Sequence, residues 1–152
     1  AGNREDLTLP VLELRTSAQQ LGLIRKHRGR LHVTRRGRAL IDDPVDLWHH
    51  LAARMPIGGR DHEDAAWQAG IILLGALATG TTAAADRTIA ETLSSLGWMQ
   101  QDGRPLDRYA AIALTRDDHA ILQRLGALAP GTGWPGTATP DGVTFARAAL
   151  SP

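Results

Sequence analysis

With 152 residues, 43% of them apolar, the chain can bury a core as one domain or as two small ones. Its formal charge is only +1, yet Arg25 to Arg38 hold seven basic residues and no acid, which leaves −6 for the rest and makes the positive charge local. The absence of cysteine excludes disulfides, thiolate nucleophiles and thiolate zinc sites, and a cytoplasmic setting is the expectation.

In chain order, Leu9, Leu12, Leu14, Ala18 and Leu21 recur at helical spacing within residues 7–23, with Thr8 as candidate N-cap and Pro10 tolerated in the first turn. Gly22 stops that helix. "LIRKHRGRLHVT" then reads as a two-stranded hairpin, with Arg28 and Gly29 at the turn, Leu31 and Val33 facing one way and Arg30 and His32 the other. Thr34 caps a short helix from Arg35 to Ile41, which Asp42, Asp43 and Pro44 end. Asp43, Pro44 and Asp46 open the next helix, whose apolar face is Val45, Trp48, Leu51, Ala52 and Met55.

"PIGGR" reads as a linker and sets the expected domain boundary, residues 1–59 against 60–152. Asp61 and Asp64 frame a helix that runs through "AAWQAGIILLGALA", residues 65–78, to about Thr79. That run is interrupted by Gln68 and falls short of the ~20 residues that a spanning helix needs, so a buried helix without membrane contact is expected. No signal peptide is visible, and the chain starts without Met, as an excised fragment would. Further helices are expected over Ala84 to Leu96, Pro105 to Leu114, Arg116 to Leu125 (capped by Thr115) and Val143 to Leu150, the last after the turn-rich "GTGWPGTATPDG".

An internal echo links Leu21–Ile41 with Leu125–Leu150: helix end, Leu-Gly and two apolar residues, a Gly-containing loop, Thr-x-x-Gly, and a short Ala/Leu helix. The order "LGLI", basic hairpin, "VTRRGRAL" resembles the back half of a winged-helix domain, in which the hairpin is the wing. The longer run "LGLIRKHRGRLHVTRRGRALIDDPVDLW" resembles the helical, winged-helix-like region of actinobacterial proteins of the plasmid open-reading-frame-three-like family. This likeness covers about Leu7 to Met55. It implies a mainly α fold with a short β-hairpin, built as two winged-helix-like halves packed through the helices around Leu47 and Ile71. In that scheme the recognition helix is Pro10 to Gln20, whose exposed face (Glu13, Arg15, Ser17, Gln19, Gln20) is not strongly basic, and base reading falls to no residue. A full helix-turn-helix has another helix or two ahead of it, so the first half is either truncated or completed by the second.

The candidate site is the basic wing: Arg25, Lys26, Arg28, Arg30, Arg35, Arg36 and Arg38. Guanidinium groups around a Gly turn suit the phosphates of double-stranded DNA, and no aromatic is interleaved for single-strand stacking. The competing reading is a charged edge that blocks strand pairing, or partners for Asp42, Asp43 and Asp46. Trp134, between Gly133 and Pro135, either docks a partner or closes its loop, whereas Trp48 and Trp98 are expected in the core.

No metal site and no cofactor are expected: His49 and His50 are adjacent and face apart, no His-x-x-x-His occurs, and His62 with Glu63 and Asp64 marks a helix start. His27 and His32 flank the turn and can face each other. Nucleophile elbows, phosphate-cradling loops and dinucleotide fingerprints are missing. Asp117, Asp118 and His119 follow Thr115 at a helix start and read as capping. The chain is therefore expected to be a non-enzymatic binding module. The alternative is a protein-interaction or scaffolding domain of a longer chain, and winged helices also often dimerise.

Overall fold

A computed structural model describes residues 9–58, 63–131 and 133–151. The chain is mainly helical with a short antiparallel hairpin. The expected Thr8 cap, Asp61, His62 and part of "PIGGR" lie outside the described residues.

The chain divides into two compact units, residues 1–51 and 52–152. The division falls inside a helix and ahead of the "PIGGR" stretch, and the reason is contact. Ile57 donates its N–H to Asp118 Oδ1 at 2.9 Å, and Pro56 sits so close to Gly70 that a Cβ there would overlap it. These contacts tie the start of "PIGGR" to the second unit.

In the first unit, α1 (Leu9–Gln20) leads into β1 (Ile24–His27), β2 (Arg30–Val33), α2 (Arg35–Leu40) and α3 (Pro44–Arg54). Pro10 lies in the first turn of α1, where a missing N–H loses no helical bond. The helix closes on Gly22, whose N–H reaches Gln19 O at 3.0 Å while Leu23 N–H reaches Ala18 O at 2.9 Å. Thr34 then does two jobs. Its hydroxyl donates to Gly22 O at 2.7 Å, with Leu23 O at 3.1 Å, and accepts from Gly37 N–H at 2.9 Å. Gly37 lies directly on the Leu23 carbonyl, where any Cβ would collide with backbone. On α3, Leu51, Ala52 and Met55 are buried as expected, Trp48 is half-buried, and Val45 faces solvent in the first turn.

The second unit is built on α4 (Ala65–Thr79), with Asp64 capping Ala66 N–H at 2.8 Å. Its buried face, Ala69, Gly70, Leu73, Leu74 and Leu77, packs against α5 (Ala85–Ser95), α6 (Arg108–Leu114) and α8 (Pro140–Leu150). A 3-10 turn, Thr82–Ala84, precedes α5; α7 (Arg116–Arg124) leads to β3 (Leu128–Ala129) and β4 (Thr137–Ala138). The rest of the core is apolar, Ile89, Leu93, Ile121 and Leu122 being aliphatic and Phe145 its aromatic member. The last helix starts at Pro140 and not at Val143, because Thr139 caps it and Pro140 fits its first position. Likewise α6 starts at Arg108, after Asp107, whose carboxylate accepts from Ala110 N–H at 2.9 Å. Thr115 does not cap α7 with its side chain: it is fully buried and its hydroxyl donates back to Ala111 O at 2.8 Å.

The turn between α7 and α8 repeats, bond for bond, the one between α1 and α2. Gly126 N–H reaches Gln123 O at 3.0 Å, and Ala127 N–H reaches Leu122 O at 2.9 Å. Thr139 donates to Gly126 O at 2.8 Å and accepts from Gly142 N–H at 3.0 Å. Gly142 lies on the Ala127 carbonyl as Gly37 lies on that of Leu23. A weaker third version joins α5 to α6. Gly97 and Trp98 make the same helix-closing bonds, an isolated bridge pairs Met99 with Pro105, and Asp107 takes the capping position. The triplet Leu-Gly-apolar at 21, 96 and 125 was the signal in the sequence for this third copy.

Candidate nucleic-acid interface

The hairpin pairs Ile24 with Val33, Arg25 with His32, Lys26 with Leu31 and His27 with Arg30. Residues directly opposite share a face, so Arg25, His27, Arg30 and His32 form one side and Ile24, Lys26, Leu31 and Val33 the other. The two imidazoles meet edge to face with centroids 6.3 Å apart. Arg28 and Gly29 form the two-residue turn, both with positive φ, 48° and 79°. That is the turn geometry whose twist matches a hairpin.

All seven basic residues of the wing and α2 are solvent-exposed. Six of them crowd two places: Arg25, Lys26, Arg28 and Arg30 on the hairpin, and Arg35 and Arg38 on α2. Arg36 is turned elsewhere. Its Nε donates to His50 Nδ1 at 3.4 Å, and His50 Nε2 in turn donates to Leu21 O at 2.8 Å. The buried His50 thus closes a polar orphan at the end of α1, and its tautomer is set by the two partners. No sequence motif marked this use of Arg36.

Trp134 is half-buried, with its ring 5.5 Å from that of His119, whose Nε2 donates to Pro135 O at 2.9 Å. These contacts close the loop. Trp98 is also half-buried and donates from Nε1 to Gln68 Oε1 at 3.0 Å. His49, exposed, meets Trp48 edge to face at 5.0 Å.

The polar group that sequence reasoning misplaced is Asp118. It caps nothing in its own helix: it is 3% exposed and receives the Ile57 N–H. Burial pushes its carboxyl up to about 7, the Ile57 bond opposes this and neighbouring Asp117 adds to it. It faces Gly70, where a Cβ would lie 2.8 Å from Oδ2, so it sits in a packed interior and not in a cleft. Among the described residues no cluster of three or more His, Asp or Glu could hold a metal ion, and no helix is long and apolar enough to cross a membrane.

The arrangement can neutralise a polyanion along one hairpin face and its tip. Comparison of the chain with family models, with curated proteins and with solved structures returns no match.

Proposed function

We propose that the protein is a non-enzymatic, cytoplasmic binding module that lays its basic wing on the phosphate backbone of double-stranded DNA. The observation that carries this reading is Arg28. A turn with two positive φ values favours Asn-Gly or Gly-Gly, and a side chain like arginine costs about 1 kcal/mol in that conformation. A guanidinium held at the hairpin turn, flanked by Arg25 and Arg30 on one face of the strands, fits a tip that meets anions. The likeness of this segment to a winged-helix wing supports the same reading.

The test is fluorescence anisotropy with a random-sequence duplex from low to physiological salt. Four to five phosphate contacts give a log–log salt slope of about −4. Replacing Arg25, Arg28, Arg30 and Arg35 with Ala should remove most of the affinity and flatten the slope. Absence of binding by the parent protein at low salt would sink the reading. A second reading, an interaction domain for another protein, is favoured by the opposite side of the same hairpin, where Leu31 and Val33 are open to solvent.

A further inference from the structure

The equivalence of the two turns sets residue against residue. Since Ala18 and Leu122 receive the same helix-closing bond, Val11 and Leu14 of α1 stand where Thr115 and Asp118 stand in the second unit. After the wing, Gly37 matches Gly142, so Ile41 matches Ala146. In the second unit these positions are sealed: Asp118 is 3% and Ala146 0% exposed. The cover is α4, which packs on α8 and places Gly70 against Asp118. In the first unit the same positions are aliphatic and open, Leu14 at 54% and Ile41 at 72%. Together with Val11, Ala18, Leu31 and Val33 they line a groove of about 670 Å³.

We infer that this groove receives an amphipathic α-helix of another polypeptide, bound across α1, the wing and α2 as α4 packs on α8 and meets Asp118 of α7 through Gly70. The occupant's apolar stripe follows from the cover that the equivalent surface already has: small and aliphatic residues spaced as Ala69, Gly70, Leu73, Leu74 and Leu77. Its flanks are acidic, because Lys26 shares the wing face of Leu31 and Arg38 follows Gly37, against Asp42 next to Ile41. A second copy of the chain does not fit this description: the stripes of α4, α5 and α8 are buried in their own unit, and α1, which exposes Leu9, Val11 and Leu14, is itself a wall of the groove and has no acidic flank, carrying one acid and one base. This surface is separate from Arg25, Arg28 and Arg30, so it stands whether or not the wing binds DNA.

The probe is a fluorescein-labelled peptide of residues 63–79 with Ile71→Glu, Gly75→Glu and Ala78→Glu, which keeps the buried stripe of α4 and makes the remainder acidic. The whole chain should bind it saturably, with Kd on the order of 10 μM, as weak helix-in-groove recognition gives. Leu14→Asp or Ile41→Asp in the protein, both at exposed positions, should weaken binding at least about tenfold (~1.4 kcal/mol), as should Leu73→Asp in the peptide. Arg25→Ala with Arg30→Ala, on the other wing face, should leave the apolar contact and most of the affinity in place. Circular dichroism of each variant confirms folding. No binding at several hundred micromolar, or equal binding by Leu14→Asp, overturns the inference. So does sedimentation equilibrium that finds a dimer of the parent chain which Leu14→Asp converts to monomer, because the occupant would then be a second copy.

Discussion

Asp118 shows how far a single residue's surroundings can depart from its local sequence. Its carboxyl holds a proton up to about pH 7 in the folded chain, whereas an unfolded aspartate releases it near pH 3.9. Between those values the folded state binds more protons, so this group makes stability fall as pH rises from about 4 to about 7, with little further change above. The sign is opposite to that of a salt-bridged aspartate. Asp118→Asn keeps an acceptor for Ile57 N–H and removes the titration. We expect the urea midpoint of the parent to drop between pH 5 and pH 8 and that of Asp118→Asn to stay nearly level, the difference over that range reaching at most about 3 kcal/mol. Arg28 poses the complementary case, a residue whose backbone disfavours it. Arg28→Asn should raise the thermal midpoint, by the equivalent of about 1 kcal/mol, while weakening duplex binding and reducing its salt slope by about 1.

The helix–wing–helix turn is the element on which this chain is built, and its strength lies in the Thr-x-x-Gly step. One hydroxyl joins the end of one helix to the start of the next, and the glycine allows backbone to rest on backbone. Thr34→Val and Thr139→Val should each cost about 1 to 2 kcal/mol, since each leaves a helix N–H and a carbonyl without their partner. Gly37→Ala and Gly142→Ala should cost more, because the added methyl meets a carbonyl that cannot rotate away. Gly75→Ala is the contrasting control. In α4 a Cβ at that position meets nothing within 4 Å, so alanine should stabilise by about 0.5 to 1 kcal/mol. Denaturant midpoints across this series separate packing from propensity.

For the whole molecule the informative quantity is where charge lies, not its total. Residues 1–51 carry nine basic against six acidic groups and residues 52–152 carry eight against ten, so the two units have opposite net signs. An overall charge of +1 would predict weak retention on a phosphate-bearing resin; the concentrated wing predicts strong retention. Changing Arg25, Arg28, Arg30 and Arg35 to Ala should move elution to much lower salt than changing the exposed Arg54, Arg87, Arg104 and Arg116, although both sets alter net charge equally. Equal shifts for the two sets would mean that the resin reads total charge and that the wing has no special role.

What the sequence by itself determined is everything governed by neighbours along the chain. The order of helices, the Arg28–Gly29 turn, the Thr34 and Asp64 caps and the two faces of the hairpin follow from periodicity, glycine and side-chain oxygens acting within a few residues. Helix starts slipped by three residues in opposite directions: Pro140 was read as loop although it opens α8 behind the Thr139 cap, and Pro105 to Asp107 were read as helix although Asp107 is the cap that precedes α6. Only the tertiary structure decided what each face meets. Asp118 lies 61 residues from the N–H it receives, and His50 lies 29 residues from the carbonyl that it closes. Equivalent turns leave Ala146 sealed and Ile41 open. Periodicity declares that a face is apolar; what covers it depends on residues far away in the chain, and that is a property of packing.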